Sequence, residues 1–265
     1  MALEKWRMLC NSYPSPSQNL ALEEALLECC ELDKFTPTCR IWFNSPSVVM
    51  GRFQDVSLEV NTQLCLKRRV QILRRFTGGG TVYHDEGNLN LTILRKRDHA
   101  DLETVQIQNM SVVRRALSKL GIESVVDPPH SLLADGKKIS GSASALNRKF
   151  ILWHASLLVS TDLDTLQQVL SPSQDCIRTI HVRSNWRSTT SVQQLLGRVI
   201  QISEARRKFV ESIHDVFDAE PTIGSPSAHE EAVEQRLHAC KYSKNTWNLD
   251  GHNISQLGAH TTIAV

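Results

Sequence analysis

Residues 73–94 read LRRFTGGGTVYHDEGNLNLTIL, a loop with three consecutive glycines that leads into alternating apolar residues. Glycine has no Cβ, so the backbone at 78–80 can take a positive φ and bring its N–H groups close to a ligand. Arg74 and Arg75 stand just before the glycines, and the guanidinium fork suits phosphate and carboxylate groups. The stretch therefore predicts an anion-binding loop between two strands.

This loop departs from the two common nucleotide-binding patterns. The P-loop needs Gly-x-x-x-x-Gly-Lys-Ser/Thr, and the dinucleotide fingerprint needs Gly-x-Gly-x-x-Gly at the start of a helix. Here the glycines are followed by Thr81-Val82-Tyr83-His84, and β-branched and aromatic residues in such a run predict a strand. Taken alone, the loop is also compatible with a plain glycine-rich hairpin that carries two exposed arginines.

Length and composition limit the class of protein. At 265 residues, 41% of them hydrophobic, the chain can bury one large core or two small ones. A net charge of +2 does not indicate binding to nucleic acid or to a membrane surface. We find no apolar run of membrane-spanning length and no secretory signal. The seven cysteines form no Cys-x-x-Cys pair, so we expect reduced thiols in a cytoplasmic protein.

Hydrophobic periodicity predicts a mixture of helices and strands. Ser17 is a candidate cap for a first helix with Leu22 and Leu26 on its apolar face. The most regular pattern predicts an amphipathic helix over 102–120 that ends at Gly121. Further helices are predicted near 58–68, 162–170, 203–218 and 228–241. Strands are predicted at 39–43, 47–51, 70–73, 89–94, 122–126, 132–134, 138–141 and 150–159.

The order of these elements predicts the fold class. Strands before and after the 102–120 helix favour an α/β or α+β fold. The chain shows no repeat and no convincing linker, since 221–226 is turn-rich but short. We therefore expect one domain over residues 1–265, with a mainly helical region at about 200–248.

A second motif lies at residues 135–146, which read DGKKISGSASAL. Asp-Gly signals a tight hairpin turn, so Lys137 and Lys138 should open the next strand. Adjacent strand residues face opposite ways, and only one of the two lysines can therefore enter a pocket. The small residues that follow leave room for a bulky ligand. Taken alone, two lysines after a turn are also compatible with a solvated strand edge.

Together these motifs resemble the lipoate–protein ligase family, whose catalytic domain shares its fold with biotin–protein ligases. The family's Arg-Arg-x-x-Gly-Gly-Gly-x-Val-Tyr/Phe-His-Asp-x-Gly-Asn loop falls on residues 74–88 without a gap, and its Gly-x-Lys-x-Ser-Gly-Ser-Ala segment falls on 136–143. Residues 152–163 look most like the archaeal members, and 242–248 (YSKNTWN) resemble the close of the family's catalytic domain. The resemblance implies mixed sheets flanked by helices over nearly the whole chain.

The resemblance also implies the chemistry. Family members use ATP and Mg²⁺ to activate lipoate as lipoyl-AMP. They then pass the lipoyl group to a lysine of a lipoyl-carrier domain, such as that of a 2-oxoacid dehydrogenase acyltransferase or the glycine-cleavage H protein. Joining two anions requires fixed positive charge nearby, and Lys138 matches the family's lysine, so it is the expected catalytic residue. Besides Lys138, the positions that match binding residues for lipoate, lipoyl-AMP or ATP are Arg75, Gly78, Gly79, Gly80, Thr81, Val82, Tyr83, His84, Asn88, Ser140, Gly141, Ala143 and His154.

Three of these polar residues allow a second interpretation. His84 and Asp85 could be a catalytic or metal-ligating pair, but neighbours on a strand point apart, so His84 can equally support the loop. His154 lies in an apolar run, where a histidine with satisfied hydrogen bonds in the core is the more ordinary role. Asn88 after Gly87 suits a turn hydrogen bond as well as contact with a ligand.

The chain departs from the family in two respects. Ser131 stands where the family usually carries an acidic residue, which removes a candidate contact to magnesium or ribose. Bacterial single-chain ligases continue into an accessory domain after the Tyr-Ser…Trp-Asn motif, whereas 249–265 is too short for one. Archaeal relatives supply that part as a separate polypeptide, so we expect a ligase that works with a small accessory subunit.

The rival enzyme class is an octanoyl- or lipoyl-transferase on the same fold that acts without ATP. Such enzymes commonly use a cysteine thiolate for covalent catalysis. Neither Cys65 nor Cys176 lies in the segments where those relatives carry theirs, 131–138 and 181–185. A silent lipoate-binding module is disfavoured because Lys138 is retained. The ligase is therefore the preferred interpretation.

Overall fold

The computed structural model describes residues 3–31, 35–97, 101–128, 131–170 and 180–251. Cys176 and residues 252–265 lie outside the described part. The described elements form two β-sheets with helices packed against them, which confirms the predicted mixed α/β class.

Strands that are far apart in sequence meet in one large sheet. In chain order the strands are β1 (Glu4–Leu9), β2 (Thr38–Trp42), β3 (Ser47–Met50), β4 (Gln71–Arg74), β5 (Val82–His84), β6 (Asn88–Lys96), β7 (Val125–Asp127), β8 (Ser131–Ala134), β9 (Lys137–Leu146), β10 (Phe150–Leu158) and β11 (Ala219–Gly224). The larger sheet has eight strands in the order β11-β1-β2-β6-β10-β9-β8-β7, and the smaller has the order β4-β3-β5. The glycine loop connects β4 to β5, so it emerges from the smaller sheet.

The helices cover the two sheets. They are α1 (Pro16–Cys29), α2 (Val56–Glu59), α3 (Thr62–Arg68), α4 (Leu102–Lys119), α5 (Leu163–Val169), α6 (Val192–Leu196), α7 (Ile202–Phe217), α8 (Ala228–Leu237) and α9 (Asn245–Asn248), with a π-helical turn at His238–Tyr242. The predicted amphipathic helix is α4. Asp101 caps its N-terminus, since the Asp101 side chain accepts from the Thr104 N–H, and Gly121 follows its end with φ +81°.

The two faces of the larger sheet differ in polarity, and this difference positions the site. Along β6, Leu89, Leu91 and Ile93 alternate into the apolar core beneath α4 and α7. Each such fully buried side chain contributes roughly 1.5–3 kcal/mol. Asn90 and Thr92 project to the opposite face, which α1 covers through hydrogen bonds rather than through an apolar seam alone. The polar face is the one available for chemistry.

The predicted cap of the first helix is wrong. The first helix is preceded by Ser15 and begins at Pro16, because proline is well suited to the first turn of a helix. Ser17 is buried inside the helix, and its hydroxyl lies 3.0 Å from Nε2 of His238.

Strands β1 and β11 were not predicted, and residues 221–224 belong to β11 rather than to a turn. The two strands pair in parallel from Glu4–Ala219 to Leu9–Gly224. Pro221 is tolerated because β11 lies at the edge of the sheet. None of the described helices has the length and apolarity needed to span a membrane.

Candidate functional site

Two adjoining cavities lie between the glycine loop and the polar face of the larger sheet. The larger cavity has a volume of about 300 Å³ and the smaller cavity about 180 Å³. Lys138, Gly141, Ser156 and Ser184 border both of them. Since they share these walls, a single ligand can extend through both.

Strand register sets the floor of the larger cavity. Gly141 pairs with Ser156, Ser156 with Asn90, and Asn90 with Trp42. These four residues form a straight row across β9, β10, β6 and β2, and all of them border the larger cavity. Neighbouring strands are about 4.8 Å apart, so the row spans roughly 14 Å. The floor begins at a glycine and ends at an indole.

The next row of the same face carries a buried charged network. Ala143 pairs with His154, His154 with Thr92, and Thr92 with Arg40. Glu23 of α1 accepts from Arg40 at 3.0 Å and from the Thr92 hydroxyl at 2.6 Å. Burial would raise the pKa of Glu23, but the hydrogen bond with His154 and the charge of Arg40 hold that pKa below its ordinary value. Glu23 is therefore an ionised anchor beneath the cavity.

His154 joins this network to the glycine loop. Its Nδ1 lies 3.3 Å from Oε2 of Glu23, and its Nε2 lies 3.0 Å from the hydroxyl of Thr77. A carboxylate can only accept, so Nδ1 carries the hydrogen, and in the neutral ring Nε2 accepts from Thr77. Both ring nitrogens are thus satisfied by the protein, while the ring also borders the larger cavity.

Gly79 is the position in the loop that requires a glycine. Its φ is +82°, and an added Cβ would lie 3.1 Å from a terminal nitrogen of Arg75. The Gly79 carbonyl in turn packs on Gly51, where an added Cβ would be 2.0 Å from the carbonyl oxygen. The loop is held against the backbone that follows β3 by a contact that only glycine permits.

Arg75 organises the loop from within. Its guanidinium donates to the carbonyls of Val49, Gly78 and Gly80 and to the Thr77 hydroxyl. Burial lowers the pKa of Arg75 to about 10, so it stays protonated at neutral pH. The side chain is 6% exposed and borders the larger cavity. The alternative of exposed arginines is therefore wrong, and a buried cation lies beside the cavity.

Arg74 has a structural role, because its guanidinium group is occupied by the protein backbone and is not available to an anion. It is 1% exposed and donates to five backbone carbonyls, those of Gly51, Arg52, Gln54, Trp247 and Leu249. The indole N–H of Trp247 donates a hydrogen bond to the Arg74 carbonyl oxygen at 2.8 Å. The YSKNTWN motif thus fastens the end of β4 just before the glycine loop.

Asn248 also holds the end of β4, and its replacement should show how much this contact contributes to the free energy of unfolding. Its side chain accepts from the Arg74 N–H at 3.1 Å and donates to the Tyr242 carbonyl at 2.9 Å. We expect Asn248→Ala to lower the free energy of unfolding by about 1–3 kcal/mol, because buried backbone groups lose their partners. Urea denaturation measures this. Asn245→Ala in the same helix, at an exposed position, is the matched control, and an equal loss there would contradict the assignment.

Lys138 enters the cavities, and Lys137 does not. Asp135 and Gly136 turn the β8–β9 hairpin with φ of 50° and 68°, as the Asp-Gly signal predicts. Lys137 is exposed, whereas Lys138 borders both cavities. A Cβ on Gly141 would lie 3.1 Å from Nζ of Lys138. The ammonium therefore lies over the glycine end of the floor.

The electrostatic surroundings of Lys138 combine a cation and an acid. Burial, followed by the charge of Arg75, lowers the pKa of Lys138, and Asp127 opposes this. Asp127 borders the larger cavity and lies 3.3 Å from Nε of Arg187. It also stands directly opposite Ser131 across β7 and β8. The neighbouring strand thus supplies a carboxylate to the cavity where Ser131 has none.

His84 and Asp85 do not form a pair. Nδ1 of His84 lies 3.0 Å from the amide nitrogen of Asn44, and burial lowers the pKa of His84 to about 3. Asp85 accepts from the backbone N–H groups of Gly87 and Asp162, both at 2.9 Å. The histidine is therefore neutral and borders the larger cavity. The Asp85 carboxylate instead stabilises the backbone at Gly87 and Asp162 and does not border that cavity.

Most of the residues selected from the sequence meet at the two cavities. The larger cavity is bordered by Arg75, Gly79, Gly80, Thr81, Val82, His84, Lys138, Gly141, Ala143 and His154. The smaller cavity adds Tyr83 and Ser140. Gly78 and Asn88 are not among the bordering residues. The Gly78 carbonyl holds Arg75, and the Asn88 amide donates to Asn90 at 3.0 Å.

Several bordering residues were missed from the sequence. Asn90 lies in β6 and Trp42 lies in β2. Side chains along a strand alternate between the two faces of the sheet, and this pattern could have assigned both residues to the polar face. Ser184 had no local signal. Its hydroxyl accepts from the Thr81 N–H at 2.9 Å and from Gln54 at 3.0 Å, so Ser184 connects its segment to the glycine loop.

Comparison with known proteins agrees with this geometry. Residues 15–214 match the sequence model of the lipoyl protein ligase A/B catalytic domain. The chain is 32% identical to lipoate-protein ligase A subunit 1 of Thermoplasma acidophilum, over 87% of this chain and 91% of that protein. It is 24% identical to octanoyltransferase LipM of Brevibacillus brevis, over 93% of this chain and 99% of that protein.

Solved structures agree as well. The structure of an archaeal bi-partite lipoate protein ligase and its E2 lipoyl domain, from T. acidophilum, superposes with a TM-score of 0.84 at 27% identity, covering 94% of this chain and 98% of that one. A lipoate-protein ligase A bound with ATP gives a TM-score of 0.81 at 29% identity, covering 92% and 98%. With the family match and the shared fold together, the chain belongs to the lipoyl protein ligase A/B catalytic-domain family.

Proposed function

We propose that this protein is an ATP-dependent lipoate–protein ligase. In the first step a carboxylate oxygen of lipoate attacks the α-phosphorus of ATP, and pyrophosphate leaves. In the second step the amino group of a carrier lysine attacks the carbonyl carbon of lipoyl-AMP, and AMP leaves. The similarity to a lipoate-protein ligase A that was solved with bound ATP supports the nucleotide requirement.

The observation that carries this proposal is a pair of cations beside one cavity, of which Arg75 is buried and Lys138 is half-buried. Lys138 and Arg75 both border the larger cavity, and neither forms an ion pair with a carboxylate in the described ranges. Arg75 donates only to neutral oxygen atoms, so its charge and that of Lys138 are not neutralised by an ion pair. An anionic ligand would supply the opposite charge. The first step brings a carboxylate and a phosphate together, so two preorganised cations lower its barrier.

The two cavities suit the two parts of an acyl-adenylate. The smaller cavity has an apolar wall of Val82, Leu158, Leu166 and Leu170, which fits the faces of a nucleobase. The larger cavity, with its straight floor toward Trp42, fits an acyl chain. Lys138 lies where the two cavities join, so its ammonium can contact the mixed anhydride and stabilise the oxyanion formed during transfer.

Magnesium fits this site only with the help of the nucleotide. Within the described residues no group of three or more His, Cys, Asp and Glu side chains is placed to hold a metal ion. Mg²⁺ is commonly bound by one or two carboxylates together with substrate phosphates. Asp127, which borders the larger cavity, would supply the carboxylate, and the ion would neutralise the phosphate charge.

The rival function is acyl transfer without ATP, as the name of the octanoyltransferase relative indicates for that protein. Covalent transfer by a cysteine needs an accessible thiolate. Among the described bordering residues of both cavities there is no cysteine. Cys65 is fully buried, and burial raises its pKa to about 11. These observations favour the adenylate route.

We propose two kinds of protein partner. The acyl acceptor is a lipoyl-carrier domain, by analogy with the E2 lipoyl domain named with the T. acidophilum ligase. That ligase is bi-partite, and the sequence relative is named as a subunit. A small accessory subunit would help to exclude water from the reactive anhydride during adenylate formation.

The test compares two supplies of acyl group with a purified E2 lipoyl domain as acceptor. We expect ATP, Mg²⁺ and lipoate, with the accessory subunit added, to release pyrophosphate and raise the mass of the acceptor by one lipoyl group. Preformed lipoyl-AMP should acylate the acceptor without the accessory subunit. Mass spectrometry and pyrophosphate release measure both. Acylation from a second acylated carrier, without ATP and without lipoyl-AMP as donor, would instead establish the transferase.

A further inference from the structure

One serine outside the glycine loop belongs to a hydrogen-bond cluster at the junction of the two cavities. Ser184 is half-buried and borders both cavities. An added Cβ on Gly80 would lie 3.1 Å from Oγ of Ser184, so this hydroxyl lies against the glycine loop. The backbone N–H of Ser184 donates to the buried carboxylate of Glu59 at 3.1 Å. Ser184 is therefore held in place where the cavities meet.

The Ser184 hydroxyl accepts two hydrogen bonds. One comes from the backbone N–H of Thr81 at 2.9 Å, and the other comes from the side-chain nitrogen of Gln54 at 3.0 Å. The orientation of the Gln54 amide is fixed, because its oxygen accepts from the backbone N–H of Gly51 at 2.8 Å. A backbone N–H can only donate, so turning the amide over would set two donors against each other. Both lone pairs of the Ser184 hydroxyl are thus occupied.

The hydrogen of this hydroxyl is left for a ligand. A serine hydroxyl has one hydrogen besides its two lone pairs, and within the described part of the chain no residue accepts that hydrogen. Gln54 is 2% exposed and borders neither cavity. The tetrahedral direction that remains at Oγ therefore leads away from the interior and toward the cavities that Ser184 borders.

The cluster also changes what the glycine loop offers to an anion. The Thr81 N–H is already used by Ser184, so the loop presents the Ser184 hydroxyl in place of that N–H. A hydroxyl that accepts two hydrogen bonds is polarised and becomes a stronger donor. This donor shares the larger cavity with the cations Arg75 and Lys138. It therefore suits a charged oxygen, because hydrogen bonds to an ionised acceptor are the stronger ones.

We infer that Ser184 is a binding residue whose hydroxyl donates to a phosphate oxygen of the acyl-adenylate, and that Gln54 is the positioning residue that directs this hydrogen. The inference rests on the proposed function, since it names a further donor in the same site. The phosphate joins the acyl chain to the nucleoside, so it lies where the two cavities meet. Lys138 reaches it from above Gly141, and Ser184 reaches it from the glycine loop.

The first experiment measures binding to the purified protein by calorimetry, with lipoyl-AMP and octyl-AMP as ligands. Octyl-AMP keeps the phosphate and lacks the acyl carbonyl. We expect Ser184→Ala to weaken the binding of both ligands by about ten- to a hundredfold, the range for one hydrogen bond to a charged group. Unchanged affinities in the folded variant would overturn the inference. A loss confined to lipoyl-AMP would also overturn it, because the hydroxyl would then donate to the carbonyl oxygen.

Ser191→Ala is the matched control. Ser191 caps α6, and its hydroxyl accepts from the backbone N–H of Gln194 at 3.2 Å, but it borders neither cavity. Each variant removes an acceptor from a backbone N–H, so each should lower the melting temperature by about 2–4 °C. Only Ser184→Ala should lose affinity for the two ligands. An equal loss of affinity in Ser191→Ala would reduce the effect to one of stability and overturn the inference.

Gln54→Glu tests the direction of the hydrogen. The carboxylate still accepts from the Gly51 N–H, but it has no hydrogen for Ser184, so the Ser184 hydroxyl must turn and donate to it. The affinity for octyl-AMP should therefore fall at least as far as in Ser184→Ala. In the double variant the loss should be well below the product of the two single factors, because both act through one hydrogen. A loss equal to that product would show that the new charge acts alone and would overturn the role of Gln54.

Binding and turnover together separate this inference from the proposed function. If the protein acylates an E2 lipoyl domain from ATP and lipoate while Ser184→Ala binds both ligands normally, the inference fails and the ligase assignment stands. If Ser184→Ala loses affinity for both ligands but the unmodified protein, with the accessory subunit, releases no pyrophosphate and acylates no acceptor, the ligase assignment fails and the role of Ser184 in phosphate binding stands.

Discussion

Lys138→Ala should slow acylation of the carrier domain by about two to four orders of magnitude, the range for losing one preorganised charge contact. The ammonium lies over Gly141, where the two cavities join, and it shares the larger cavity with Arg75. Without it, the negative charge that develops on the carbonyl oxygen and on the phosphate loses its nearest compact cation. Because the charge is needed in both steps, transfer from lipoyl-AMP and adenylate formation should both slow. Single-turnover assays with each supply measure the two steps separately.

Lys137→Ala is the matched control for this variant. Lys137 is adjacent in sequence, has the same side chain and is exposed to solvent, so its removal should change neither step by more than about twofold. Thermal melting checks that both variants are folded. A near-normal rate in Lys138→Ala, or a large loss in Lys137→Ala, would show that the wrong lysine has been assigned.

Gly79→Val should abolish binding of lipoyl-AMP, with a loss of at least about a hundredfold in affinity. The residue has φ +82°, and its Cβ would lie 3.1 Å from a terminal nitrogen of Arg75 and 3.8 Å from Cβ of Ala143. The branches of valine would extend from there into the cavity that the ligand needs. The strained backbone costs of order 1–3 kcal/mol, so the protein should remain folded. Isothermal titration with lipoyl-AMP measures the affinity.

Gly121→Val separates backbone strain from loss of the site. Gly121 has almost the same φ, +81°, and nothing lies within 4 Å of an added Cβ. It follows α4, away from both cavities. This variant should lose a similar amount of stability while its affinity for lipoyl-AMP stays unchanged. Unaltered affinity in a folded Gly79→Val protein would mean that the glycine loop is not the binding site.

Local signals were sufficient for the parts of the site that lie within one short segment. The Asp-Gly turn and the strand alternation predicted that only one of Lys137 and Lys138 faces a pocket, because both signals act over a few residues, and the family resemblance then selected Lys138. The strand after the glycines and the helix that ends at Gly121 followed from the same kind of signal. Family resemblance then associated these segments with one chemistry, and the structure brings most of the selected residues to adjoining cavities.

Contacts between distant segments could not be predicted in this way. The pairing of β1 with β11 joins residues 4–9 to residues 219–224, and it depends on shared burial that no local window contains. Arg74 looked like a ligand for anions, but its partner Trp247 lies 173 residues away in sequence. Asp127 lies opposite Ser131 and borders the larger cavity only because β7 and β8 pair in one particular register.

Residue type and short spacing were enough to predict the mixed α/β class and the glycine loop, since they control turns, alternation and helix ends, and the family resemblance singled out Lys138. Three features depend on contacts across the fold: Arg74 connects the end of β4 to Trp247, His154 is held between Glu23 and Thr77, and Asn90 lies two strands from Gly141 along one row. The physical reason is that strand register and side-chain partners are chosen by packing and hydrogen bonding across the whole fold. Local propensity does not indicate which distant strand will pair with a given strand.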